Sequence, residues 1–393
     1  MSPVTRIIFF VETPFSQRDY DRYGIEILQK TGFDVEAWDF TNFLRPGAAQ
    51  HAAEPDVVKW SGHKQFQNRH DACAAIAALT PSCFVVCIVA YQPASFSVYR
   101  ALSRVPVRYC IVMTNVIPGG GAVEDSRSIL DRIKQSSPRQ LLNALFSRIP
   151  FRWWGIRPAA LLLAGGTCSE QKVSAYPGDC TTRTLWAHKL DYDLYLNERD
   201  RSVPADAKMG VFLDEYMPFH PDYHRLGLIS PSAHESYYPN LCRFFDFLER
   251  EYGIRIVIAA HPHSRYEDHP DYFGGRPVMK GKTLELVRKS GVVIAHSSTA
   301  LNFAVLFHKP VLFITTDSLQ RSQRMVYSIQ KTATWLGKTP INVDAPLNLD
   351  WEKELALDPE AYMRYREAYI KKSGSPEKPV WQIFADFLKT VDV

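Results

Sequence analysis

Three short stretches of this chain put acids, imidazoles and hydroxyls where chemistry on a phosphate or a hydroxyl needs them. Val211-Phe212-Leu213 is an apolar run that ends in Asp214-Glu215, Ile254 to Ala260 ends in His261-Pro262-His263, and Gly291 to Ala295 ends in His296-Ser297-Ser298-Thr299. An apolar run that stops at polar residues reads as a buried strand with its functional groups at the carboxyl end. A carboxylate in that position takes a proton from a hydroxyl, and a second acid beside it raises its pKa toward useful base strength. Asp214 is therefore the candidate base; Glu215 points the other way if the strand continues, because successive strand residues face opposite sides. His261 suits phosphate binding or assistance to a leaving group, with Pro262 stiffening the next peptide and fixing the angle of the imidazole. Ser297 and Ser298 supply hydroxyls beside the backbone N–H groups of a helix expected to start near Thr299, whose amino end favours a phosphate. Each group also has a plain structural reading, as a cap, an ion-pair partner or a packed imidazole, and the spacing alone leaves both open. Eight of the twelve histidines fall between His220 and His308. Pro218 and Pro221 nevertheless oppose a helix that would put His220 and His224 on one face, and no HExxH pattern occurs, so no metal site is assigned.

The elements that must position these groups come in two series. Arg6 to Val11, a helical Gly24 to Lys30 and Phe33 to Trp38 form a β-α-β opening, followed by buried-strand candidates at Cys83 to Ala90 and Val107 to Met113, with Leu190 to Leu196 expected to close the first sheet. These runs are continuous rather than alternating, as in a parallel sheet covered by helices on both faces. The charged stretch Asn197 to Pro204 reads as a linker. After it the rhythm restarts: strand Val211–Leu213, helix Ala233 to Tyr252 with Leu241, Phe244, Phe245 and Leu248 on one face, strand Ile254 to Ala260, helix Thr283 to Lys289, strand Val292 to Ala295, helix Thr299 to Phe307 and strand Val311 to Ile314. The expected domains are 1–200, a doubly wound α/β unit, 205–345, a second one, and 346–393, helices that cross back to the first. Two such sheets bind ligands in a cleft at their carboxyl ends. Gly119-Gly120-Gly121 lacks the GxGxxG spacing and reads as a loop, not a dinucleotide site.

Composition narrows the function classes. At 393 residues with 46% hydrophobic and 22% charged residues, disorder and fibrous folds are excluded, and two buried cores are affordable in length. A net charge of +4 is too small for a protein whose main partner is nucleic acid. Seven cysteines, an odd number without a CxxC pair, suit a reducing cytoplasmic compartment, and the apolar run before Glu12 is too short for a signal-peptide core.

At Leu213-Asp214-Glu215, His261-Pro262 and Ser297-Ser298, in that order, the chain resembles bacterial GT-B glycosyltransferases that use CMP-activated sugars, the sialyltransferase-like and Kdo-transferase-like enzymes of capsule and lipopolysaccharide assembly. The resemblance spans roughly 210–316, and Tyr216 stands where the family's acidic motif often has glycine. It implies a GT-B fold of two Rossmann-like domains facing an interdomain cleft. The implied reaction is inverting transfer of a nonulosonate or Kdo-type sugar from a CMP donor to a surface polysaccharide, without metal or further cofactor. Asp214 is then the general base and His261 the phosphate contact that assists departure of CMP, with Pro262, Ser297, Ser298 and Thr299 completing the nucleotide-binding set. Glu12 and Arg18, after the first strand, and Glu215 are the expected acceptor contacts, Arg18 pairing with an anionic sugar. Basic and aromatic residues interleave over 133–157, which suits either an amphipathic helix packed on the domain or peripheral contact with an anionic inner membrane and a lipid-linked acceptor. The alternatives are a UDP-sugar transferase or sugar-nucleotide epimerase of the same fold, or a non-catalytic assembly subunit.

Overall fold

The computed structural model describes residues 3–46, 58–119, 143, 145–146, 148–170, 176–220, 223 and 229–390. The chain divides into two compact units, one made of 1–115, 125–190 and 371–393, the other of 116–124 and 191–370.

In the first unit the strands are β1 (Arg6–Val11), β2 (Asp34–Asp39), β3 (His63–Gln65), β4 (Cys83–Cys87), β5 (Arg108–Met113), β6 (Leu161–Ala164) and β7 (Arg183–Trp186). They pair in parallel in the order β3-β2-β1-β4-β5-β6-β7. Ile7 and Phe9, Val35 and Ala37, Phe84 and Val86, and Leu161 and Leu163 share one face and one core, while Ile8, Phe10, Val85 and Ile111 are buried on the other. That explains the continuous apolar runs: the inner strands are buried on both faces. The helix Val380–Thr390 covers the first face, setting Trp381 edge-on to Phe9 at 5.0 Å and Phe384 against Phe84 at 5.6 Å. Trp381 fits because Gly24 is glycine. Gly24 has φ +55, and a Cβ there would lie 2.5 Å from the indole.

The second unit holds β8 (Asp206–Leu213), β9 (Arg255–Ala260), β10 (Val278–Lys280), β11 (Ser290–Ala295), β12 (Val311–Thr315) and β13 (Ile341–Asn342), parallel in the order β10-β9-β8-β11-β12-β13. The helix His234–Tyr252 buries Tyr237, Tyr238, Leu241, Phe244, Phe245 and Leu248, the three-and-four spacing of a single stripe, and Gly253 ends it with φ 63.

Two expectations change. Leu190 to Leu196 is not a strand but the start of a helix, Leu190–Glu198, in the second unit. The alternating Leu-Asp-Tyr-Asp-Leu imitates period two, yet Asp191 and Asp193 sit in a first helical turn, where acids favour the helix dipole. The first sheet is closed instead by the four-residue strands β6 and β7. The chain passes from the first unit to the second at 190/191, before the charged linker. Of the terminal helices, Trp351–Leu355 and Pro359–Tyr365 belong to the second unit and Val380–Thr390 to the first.

Candidate functional site

In the second sheet β8 runs between β9 and β11, so the order of strands reverses at its edge; in open α/β sheets ligands bind at the carboxyl ends beside such a point. All three motifs stand there. Asp214 follows β8 and is 4% exposed. Its Oδ1 accepts the Tyr216 N–H at 2.9 Å, and its Oδ2 accepts the His261 N–H at 3.1 Å and the Tyr266 hydroxyl at 2.8 Å. Burial pushes its carboxyl up to about 6 against the pull of these three donors. Tyr216 has φ 50 and ψ 39, the left-handed conformation that glycine adopts without strain. Its ring is held against Phe219 and Tyr266, each at 5.4 Å, which keeps a bulky residue in that conformation.

Glu215 turns the other way, toward β11. Its Oε1 accepts the Ser297 N–H at 2.7 Å. Burial is the largest influence on this carboxyl and, with the charge of Asp214, pushes it up to about 7, opposed by the amides of Ser297 and Ser298. The helix after the serines starts later than expected, at Leu301–Leu306, and its N-cap, Ala300, has no side-chain bond. Ser298 Oγ accepts the Ala300 N–H at 3.3 Å, so Ser297 to Ala300 form a turn with Glu215 on its first amide.

His261 begins a tight turn closed by Ser264, whose N–H and hydroxyl both donate to the His261 carbonyl, at 2.9 and 2.7 Å. Its Nδ1 accepts the His263 N–H at 3.2 Å, which leaves the proton of the neutral ring on Nε2. The His220 ring lies 4.9 Å away and the His263 ring 5.5 Å away. Pro262 and Thr299 are exposed. His296, fully buried, is structural: Nδ1 donates to the Ile314 carbonyl at 2.7 Å, Nε2 accepts the Tyr237 hydroxyl at 2.9 Å, and burial pushes its pKa down to about 4, so it stays neutral.

No protein-family model and no curated protein matches the chain. Solved structures do. Over 98% of this chain and 88% of its own, the wall teichoic acid polymerase TagF is 12% identical with a TM-score of 0.55; a TagF variant soaked with CDPG is 13% identical over 99% and 89%, at 0.54. The fold is GT-B. A UDP-GlcNAc 2-epimerase from Methanocaldococcus jannaschii, 11% identical over 98% of this chain and all of its own, reaches only 0.48.

The first GT-B unit places the expected acceptor residues at the carboxyl end of β1. Glu12 Oε1 accepts from Arg45 at 2.8 Å, while its Oε2 is buried without a partner among the described residues. Arg18 is exposed on the short helix Gln17–Arg22. Of the basic, aromatic segment 133–157, residues 133–142, 144 and 147 lie outside the described residues, as do Gly120 and Gly121, Pro221, Asp222 and His224. In the described part Trp153 is 82% exposed, and Arg152 pairs with Asp179. No described helix is long and apolar enough to cross a membrane, and no three described His, Cys, Asp or Glu side chains gather as ligands. All seven cysteines are free thiols. Sequence reasoning missed Tyr266, Tyr237, Arg45 and Asn302. Tyr266, Tyr237 and Arg45 meet their partners only across the fold, and Asn302 joins the distant Asp191 as well as the nearby Thr299.

Proposed function

We propose that the second unit binds the phosphate of a sugar nucleotide at the ends of β8, β9 and β11, and that the protein is an inverting glycosyltransferase of surface-polysaccharide assembly with a CMP-sugar donor. One observation carries this reading: two hydrogen bonds, Asp214 to the His261 N–H and Glu215 to the Ser297 N–H, join three motifs far apart in sequence at one reversal of strand order. The CMP preference rests on the sequence resemblance.

In this reaction the acceptor oxygen attacks the anomeric carbon, the bond from that carbon to the phosphate oxygen breaks, and CMP leaves. His261, through Nε2–H, and the Ser297 amide offset the charge that grows on the departing phosphate. Asp214, the base by resemblance, accepts three protein donors and serves instead as the anchor of the His261 turn. The acceptor's proton goes to Glu215, the half-buried member of the pair, whose raised pKa suits a base near neutrality. Glu12 and Arg18 contact the acceptor, and the exposed Trp153 meets a membrane surface.

The test is donor turnover by the purified chain with CMP-sugars and UDP-sugars in parallel. CMP release that depends on a saccharide acceptor supports the reading. Release from UDP donors alone moves the assignment to a UDP-sugar transferase, conversion without acceptor moves it to an epimerase, and nucleotide binding without turnover moves it to an assembly subunit. His261→Ala is expected to weaken CMP binding about tenfold, the loss of one charge-assisted hydrogen bond, as read by calorimetry.

A further inference from the structure

The amide that the proposed function gives to the donor phosphate is already taken: Ser297 N–H points at Glu215 Oε1, 2.7 Å away. A second, independent feature of the same turn is unfilled. Asn302 is fully buried, and its Nδ2 donates to the Thr299 carbonyl at 2.6 Å and to Asp191 at 3.2 Å, so the side-chain amide reaches back to the turn at Thr299. Its Oδ1 has no hydrogen-bond partner among the described residues. A buried amide oxygen left in that state is costly, and native folds keep few of them without a reason. The turn thus has its amides answered by the protein's own anion and, beside it, an acceptor with no partner among the described residues. A carboxylate answers only the first. A ligand with an anionic oxygen and a nearby hydroxyl or amino hydrogen answers both.

We propose that Glu215 stands in for the nucleotide phosphate at the Ser297 amide and is displaced when the nucleotide binds, while Asn302 Oδ1 accepts a hydroxyl or amino hydrogen of the same nucleotide. This rests on the nucleotide-binding reading above. It orders the reaction: while Glu215 is held by Ser297 its carboxylate is engaged, and the arriving phosphate takes the amide and frees the carboxylate for the acceptor's proton. Two anions cannot share one amide without repulsion, so the stand-in lowers affinity for phosphate-bearing ligands and leaves an uncharged nucleoside unaffected.

Calorimetric titration of the full-length protein with CMP, UMP and cytidine tests this. Glu215→Gln and Glu215→Ala are each expected to bind CMP or UMP about tenfold more tightly than the wild type, with cytidine affinity unchanged and acceptor-dependent turnover reduced. Asn302→Ala is expected to weaken CMP and cytidine together by several-fold while inorganic phosphate binds as before. If both Glu215 variants bind the nucleotides equally or more weakly, Glu215 is a direct ligand contact or a bystander and the stand-in is overturned. If no nucleotide binds the wild type or either variant, the nucleotide reading itself fails, and the inference with it.

Discussion

Asp214 and Glu215 show how two neighbouring acids acquire different tasks from their surroundings alone. Both are pushed up by burial, but Asp214 is spent on donors from Tyr216, His261 and Tyr266, and Glu215 on the Ser297–Ser298 turn of an adjacent strand end. A carboxyl raised from 3.8 to about 6 binds a proton more readily folded than unfolded. Its contribution is therefore most favourable at low pH and is lost as pH rises from about 4 to about 6, a span worth roughly 3 kcal/mol. Ordinary paired carboxylates act in the opposite sense. Thermal unfolding followed between pH 4 and 8 should show this: relative to the wild type, Asp214→Asn gains stability as pH rises through that window, and a difference that stays flat or falls with pH would remove Asp214 from the account. The acid, the histidine and the serines were legible because each ends an apolar run. Tyr266 was not, since nothing in its neighbourhood marks a tyrosine that donates to a carboxylate 52 positions earlier.

At the scale of elements, Gly24 and Trp381 depend closely on one another in the first unit. A side chain at position 24 meets both a left-handed backbone and the indole, so Gly24→Ala should cost about 2–4 kcal/mol. Trp381→Ala, which empties a site 1% exposed between Phe9 and Phe384, should cost about 3–5 kcal/mol. The double variant should lose clearly less than the two together, because the cavity left by the indole relieves the clash at position 24; chemical denaturation of the three proteins measures the coupling. Full additivity would mean that the strained backbone alone carries the cost at Gly24. The strands with five or more buried residues were readable as apolar runs. The three-residue β3 and the four-residue β6 and β7 were not, because so short a segment has no measurable period.

For the whole molecule, the decisive feature is that the first unit is discontinuous: its core needs 371–393, which arrive only after the second unit has been built. Truncation after Ile370 removes Trp381, Ile383, Phe384 and Leu388 from that core. The shortened chain is expected to leave residues of β1, β2 and β4 open to hydrogen exchange and protease while 191–370 keeps its protection. Uniform loss across both units would show that they do not hold together independently, and unchanged protection would show that the last helix is dispensable. Net charge and cysteine content, by contrast, act at this scale without regard to topology.

The sequence by itself determined the two parallel α/β units and the placing of acid, imidazole and hydroxyl at strand ends, since burial on both faces of a parallel sheet writes continuous apolar runs and the breaks in those runs mark the edges. The order of the strands, and with it the meeting of β8, β9 and β11, came only with the tertiary structure. So did the direction of Glu215 toward the Ser297 amide, the engagement of Asp214 by Tyr266, and the unpaired oxygen of Asn302. Such contacts depend on which edges lie side by side and which faces are sealed from water, and apolar patterning along a chain says that a residue is near an edge without saying which other edge it faces.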